Sequence, residues 1–148
     1  MKNKEQYIPI ILRVVVGSLW IWMAIVPKLI NPEPRIAMVS KSWIEPLLSV
    51  FMGPETFIYI LAFLELITGL MLLVGWFTRV ASSIQIGLII AIIVGLFNIA
   101  TAQGLTSPIA HLLMKDLPLM AINVVLIITG GGLYSIDNWL KNKKISSL

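Results

Sequence analysis

Apolar and polar positions separate along this chain into four long apolar runs, joined by polar connections and followed by a polar tail. The runs are about Ile8–Ile25, Phe57–Phe77, Ala81–Ala100 and Leu117–Tyr134. A helix that crosses the hydrocarbon core of a bilayer needs ~20 such residues. The pattern therefore predicts an all-α membrane protein, a four-transmembrane-helix bundle forming one domain over residues 1–148.

The connections refine this picture. Val26-Pro27-Lys28 closes the first run. Pro27 has no amide hydrogen for the helical ladder and is expected to kink or end the helix, with Lys28 snorkelling to the headgroups. Leu29–Thr56 is too long for a simple turn. After the turn signal Asn31-Pro32-Glu33-Pro34, the apolar residues Ile36, Val39, Trp43 and Leu47 recur at helical spacing among Arg35, Lys41, Ser42 and Glu45. This predicts an amphipathic segment on the membrane surface, in the loop between spans one and two. Pro46 should break it, with Leu47–Met52 as the second piece. A lid over the bundle mouth is its functional version, a plain interfacial loop its structural one.

Phe77–Val80 reads as a short turn, making the second and third spans antiparallel neighbours. In the third span Ser83, Gly87, Ala91 and Gly95 lie four apart, a stripe over which another helix can approach closely. In the second loop, Thr101–Lys115, Ser107-Pro108 reads as a helix start, and Ile109–Met114 as a short interfacial turn. Asp116 is the expected N-cap of the fourth span. Stopping that span at Ile128 would leave only about twelve residues, too few to cross. It is therefore expected to run on through Gly130-Gly131-Gly132, with an unwound, ligand-binding end as the other reading.

Composition agrees with a membrane location: 58% of residues are hydrophobic and 12% charged, against a charged share of ~25% in soluble domains. Mean hydropathy is +0.95. The absence of cysteine excludes disulfides, thiol redox chemistry and thiolate-held metal sites, and one histidine excludes bis-histidine haem ligation within a chain. His111 has no partner ligands in the sequence and reads as solvated or interfacial, so no metal site is assigned. The net charge of +4 lies mostly outside the apolar runs, where anionic lipid headgroups explain it better than nucleic acid. Lys2 and Lys4 precede an apolar run as in a signal peptide, but Arg13 interrupts the run and no A-x-A site follows Trp22-Met23-Ala24. A retained first span is expected.

Four spans place both termini on one side, with Lys2, Lys4, Arg79, Lys141, Lys143 and Lys144. Lys28, Arg35, Lys41 and Lys115 fall on the other, over longer loops. Positive charge favours the cytoplasmic side, so the termini are expected there in a bacterial plasma membrane. Tyr7, Trp76 and Trp139 would form an aromatic belt at the inner interface.

Candidate chemistry centres on Glu65, a carboxylate near the middle of the second span. A charge at that depth costs at least ~2.5–3.5 kcal/mol on insertion scales. Protonation, a paired cation or a polar bundle interior would each make it tolerable. Arg13, turned inward on the first span, is the expected partner, about 10 Å away in depth by helical rise. Gln85 falls at roughly the depth of Arg13 and is expected to bond it. Trp20, at a depth similar to Glu65, and Asn123 complete the binding or proton-handling candidates. The structural alternative is that these polar residues only tie helices together.

Several stretches together resemble the DoxX-like family of small four-helix bacterial membrane proteins. They are Leu12-Arg13, Val26-Pro27-Lys28-Leu29, Leu64-Glu65-Leu66 with Gly69, the Gly75…Thr78-Arg79 turn, and the ending Gly130-Gly131-Gly132-Leu133-Tyr134-Ser135-Ile136-Asp137. Pro27-Lys28 and Lys115-Asp116-Leu117-Pro118 are most similar to a branch sometimes fused to dehydrogenase-like epimerase domains. The resemblance covers nearly the whole chain and implies the four-helix architecture. It also implies association with oxidoreductases: the family name comes from a membrane subunit linked to thiosulfate:quinone oxidoreductase, and other relatives are linked to oxidative-stress partners. It transfers no catalytic residue.

Three functions remain open at the level of sequence. One is a non-catalytic membrane subunit or anchor that holds a quinone or other lipophile near Glu65 for a separate oxidoreductase. A second is a proton-coupled small-molecule transporter or channel, acting as a homo-oligomer because four spans are few for alternating access. The third is a structural or assembly protein.

Overall fold

The structure, a computed structural model, describes the backbone over residues 6–102 and 112–146 and the side chains over 6–95 and 114–143. All described regular elements are helical. α1 is Ile8–Ala24 and continues through a π-helical turn, Ile25–Ile30. Two short helices follow, α2 at Glu33–Ser40 and α3 at Glu45–Leu48. α4 is Pro54–Val74 and α5 Thr78–Ala102. A second π-helical turn, Leu112–Asp116, leads into α6, Leu117–Thr129. α7, Ile136–Ser146, ends the described chain.

Among the described residues, three helices are long and apolar enough to cross a membrane: Ile8–Ile30, Pro54–Val74 and Thr78–Gly95. The helical path from Leu112 to Thr129, a π-helical turn of 5 residues followed by a helix of 13, covers about 27 Å at 1.5 Å per residue. The expected continuation of that path to Tyr134 is corrected by the structure. α6 stops at Gly130, whose φ of 71° and ψ of −163° lie in a region open almost only to glycine. The break has a packing cause. A Cβ at Gly131 would stand 2.6 Å from the Ser135 Cβ and 2.7 Å from the Thr78 Oγ1, so the glycines let the chain fold back tightly onto the start of α5.

Pro27 does not end the first helix. The π turn takes up its ring and missing donor, and Asn31 N reaches back five residues to Val26 O at 3.1 Å. The segment after it is divided into two short pieces, as expected, but the break falls over residues 41–44, just before Pro46. Pro46 itself lies in the first turn of α3, where its lack of an amide hydrogen costs nothing. Asp116 is not an N-cap: it is already helical and makes no capping bond, and its carboxylate meets Lys115 at 3.2 Å. The residues Ser107, Pro108 and His111, and the side chain of Asn98, lie outside the described residues.

The side-chain distribution is inverted relative to a water-soluble bundle. Ile11, Trp22, Phe63, Leu70, Val94 and Ile128 are exposed on the outside. Arg13, Lys28, Glu65, Thr68, Gln85 and Asn123 are buried. Exposing apolar side chains is tolerable when the surroundings are hydrocarbon, and polar groups then gain most by turning to one another inside. Val16, Trp20, Leu72, Ala81, Ile89, Leu119 and Leu126 supply the apolar part of that interior.

α1 and α4 approach each other closely. A Cβ at Gly17 would lie 2.8 Å from Gly69 O, and one at Gly69 would lie 2.9 Å from Gly17 O. Here two glycines let backbones touch, as small residues do in membrane helices. The stripe expected to serve this purpose on α5 does not. Ser83, Gly87 and Ala91 are exposed, and a Cβ on Gly87 would meet nothing within 4 Å. Only Gly95 is used, against the Ile44 side chain at 3.1 Å. That contact and the Trp43 Nε1 bond to Val94 O, 3.0 Å, hold the surface segment to α5.

Candidate functional site

Glu65 is fully buried, and its Oε2 accepts a hydrogen bond from the Lys28 ammonium, forming a buried ion pair. Lys28, expected at the headgroups, is 5% exposed. The expected Arg13–Glu65 pair is absent. Arg13 does face inward, at 3% exposed, but it donates to Tyr134 O at the other end of the bundle.

Side-chain direction explains this choice better than depth does. With Gly17 level with Gly69, Lys28 lies about 10 Å in depth from Glu65 and Arg13 about 12 Å, at 1.5 Å per residue. The distances barely discriminate. In an α-helix each Cα–Cβ bond tilts toward the helix N-terminus. Lys28 near the end of α1 therefore leans back down the bundle, as its second bond to Met23 O at 3.3 Å confirms. Glu65 on antiparallel α4 leans up toward it. Arg13 leans away from Glu65. The rule selects the partner only once the Gly17–Gly69 register is known.

Arg35 and Lys115 lie near enough to act electrostatically on both members of the pair. Three cations thus act on Glu65, one of which, Lys115, is itself paired with Asp116. Thr68, one turn along α4, turns its hydroxyl back to Leu64 O at 2.8 Å and adds no charge.

The remaining sequence candidates, Trp20, Gln85 and Asn123, are buried in the interior as well. Trp20 lies roughly level with Glu65 by the Gly17–Gly69 register. Gln85 sits between Ala81 and Ile89 on one face of α5, and Asn123 between Leu119 and Leu126 on one face of α6, all buried. The Arg79 Nη2 bond to Ile128 O sets the register of those two antiparallel helices, which places Gln85 and Asn123 roughly level. The expected Arg13–Gln85 bond does not form: both polar atoms of the Gln85 side chain are without a partner. So are Trp20 Nε1, Glu65 Oε1 and Asn123 Oδ1, while Asn123 Nδ2 is spent on Leu119 O at 3.0 Å. Leaving a buried polar atom unpaired costs about 1–3 kcal/mol. Each of these two donors and three acceptors would gain from a water or from the polar head of a ligand.

At the opposite end, the Asp137 carboxylate accepts bonds from Phe77 N at 2.7 Å and Thr78 N at 2.9 Å, capping α5 from the tail. Asp137 N returns a bond to Gly75 O at 3.0 Å. Gly75, at φ +69°, is where the Arg13 guanidinium passes: a Cβ there would overlap it, 1.5 Å from Nη1. Sequence reading of the site missed this knot, although Gly75 and Asp137 both stand in the stretches that carry the family resemblance. A glycine and an aspartate 62 positions apart give no local signal that they meet.

The DoxX family profile matches residues 8–98, more than half of the chain. This chain belongs to the DoxX family. The matched region holds both members of the Lys28–Glu65 pair, together with Arg13, Trp20 and Gln85. Asn123 and the Gly130–Asp137 ending lie beyond it. No curated protein and no solved structure matches the chain. Family membership and the apolar helices make this DoxX protein an integral membrane protein in contact with the bilayer.

Proposed function

We propose that this DoxX protein is a non-catalytic membrane subunit that crosses the bilayer four times, with its termini in the cytoplasm of a bacterial cell. In this reading it holds a quinone, or a similar lipophile with a carbonyl head, for a separate oxidoreductase. The observation that carries the reading is the set of unpartnered, fully buried polar atoms on Trp20, Glu65, Gln85 and Asn123. Indole and amide N–H groups suit a quinone carbonyl, and carboxylate and amide oxygens suit the hydroxyl of the reduced form. The Lys28–Glu65 pair is an intramembrane charge pair of the kind used to hand protons to and from a buried site.

The test is mass spectrometry of small molecules that co-purify with the protein in mild detergent. A quinone should be retained by the wild type and lost from Gln85→Leu with Asn123→Leu. A wild type that carries no lipophile would sink the proposal. The charge pair also fits proton-coupled transport, and proton-dependent solute uptake into proteoliposomes would favour that reading instead.

A further inference from the structure

A second site lies at the other end of the bundle, away from the Lys28–Glu65 pair. A groove of about 680 Å³ opens among the start of α1, the α4–α5 turn, the glycine break after α6 and the start of α7. Its volume is in the range of ligand pockets, about 300–1,000 Å³. Two cations line it, Arg79 and Lys141, and both are exposed. Its one carboxylate, Asp137, is already engaged by the amides of Phe77 and Thr78. Among the described residues, the groove therefore presents positive charge with no free anion to answer it. Arg79 gives one long bond, 3.4 Å, to Ile128 O. Its Nε stands beside Gly130, where even a Cβ would approach to 3.7 Å, so the residue types at the break leave the guanidinium uncovered.

The groove's apolar wall identifies its occupant. Val80 and Leu133 are about half exposed and continue the hydrocarbon-facing surface of the helices directly into the groove. Trp76, Tyr134 and Trp139 are exposed at the same end, as aromatic residues are where headgroups begin. A soluble anion would use the cations and leave this wall idle. An amphiphile with a phosphate head uses both.

We propose that this groove binds the headgroup of an anionic phospholipid. Arg79 and Lys141 hold the phosphate, and the acyl chains lie along Val80 and Leu133. The site is independent of the interior polar residues and of any quinone there. It assigns Arg79 and Lys141, two of the chain's 11 lysines and arginines, to one specific lipid site.

The experiment is native mass spectrometry of the full chain, released from detergent containing equal phosphatidylglycerol and phosphatidylcholine with the same acyl chains. Phosphatidylglycerol should be retained in preference. Each cation removed should lower that preference ~5-fold, in line with basic residues near an anionic surface. Lys141→Ala, at an exposed position on α7, tests this without disturbing the bundle; Arg79→Gln with Lys141→Ala should abolish the preference. Lys41→Ala, on the segment between α1 and α4, should leave it unchanged. Equal retention of the two lipids, or an unchanged preference in the double variant, overturns the proposal. Displacement of phosphatidylglycerol by millimolar inorganic phosphate would also overturn it, by showing that the groove takes a free anion.

Discussion

α1 carries two buried cations, and the bundle treats them oppositely. Lys28 faces a carboxylate, Glu65, in a two-member ion pair that leaves Glu65 Oε1 unpartnered. Arg13 faces a backbone carbonyl, Tyr134 O, inside a knot of turns made by Gly75, Ser135 and Asp137. Asp137 is near enough to act on Arg13 electrostatically, but its oxygens are committed to Phe77 N and Thr78 N. One cation is therefore held by a group that can gain or lose a proton, the other by a group that cannot. The first arrangement suits chemistry that changes charge. The second suits the tying of the tail to the α4–α5 turn.

The largest effect expected from this contrast is at the carboxylate. Glu65→Gln leaves Lys28 buried without its counter-charge, and breaking a buried pair in this way costs about 3–5 kcal/mol. Adding Lys28→Met should recover much of the loss, because no orphaned charge remains. Thermal stability in detergent of both single variants and the double variant measures this. Simple additivity of the two effects would mean that the pair does not exist in the folded protein.

Arg13→Met supplies the opposing half of the comparison. It deletes the cation itself and leaves a neutral carbonyl, so the expected loss is that of one unsatisfied buried acceptor, about 1–3 kcal/mol. Glu65→Gln should neither deepen nor relieve that loss, since the two sites share no partner. A strong interaction between Arg13 and Glu65 in the same stability assay would instead restore the pairing expected from depth alone.

The apolar runs, the inward Arg13, the burial of the polar residues and the short α4–α5 turn were all legible from residue pattern, because each depends on local hydrophobicity or a single special residue. Partner choice was not. It depends on helix register, set here by Gly17 and Gly69 in backbone contact, and on the tilt of side chains toward each helix's N-terminus. The end of α6 was misplaced for a related reason. The three glycines are there to meet Thr78, Ser135 and Pro9, and nothing in their own segment reveals those contacts. The stripe on α5 shows the reverse failure: the small residues are where helix packing would want them, and they face outward.

Gly17→Ala tests the register directly. The added methyl would press on Gly69 O at 2.8 Å, and overpacking of this kind costs about 1–3 kcal/mol. It should also weaken the coupling between Lys28 and Glu65 in the double-variant cycle while leaving the Arg13→Met effect unchanged. Equal damage at both ends would mean that α1 moves as one rod, and that the two cations are not separable.

The smallest expected effect is at Gly87. Its α5 position has the same residue type as Gly17 and, like it, lies in a membrane-length apolar helix, but a Cβ there meets nothing within 4 Å. Gly87→Ala should therefore change stability by no more than about 0.5 kcal/mol, as for surface sites without special contacts. A small gain is the favoured sign, since alanine is the better helix former. Thermal stability in dilute detergent and in reconstituted bilayers gives the reading. A loss comparable to Gly17→Ala, appearing only in bilayers, would show that the Ser83–Gly87–Ala91 face packs against another helix there. The division of the chain into a charged site and a structural knot would then describe one protomer of a larger assembly.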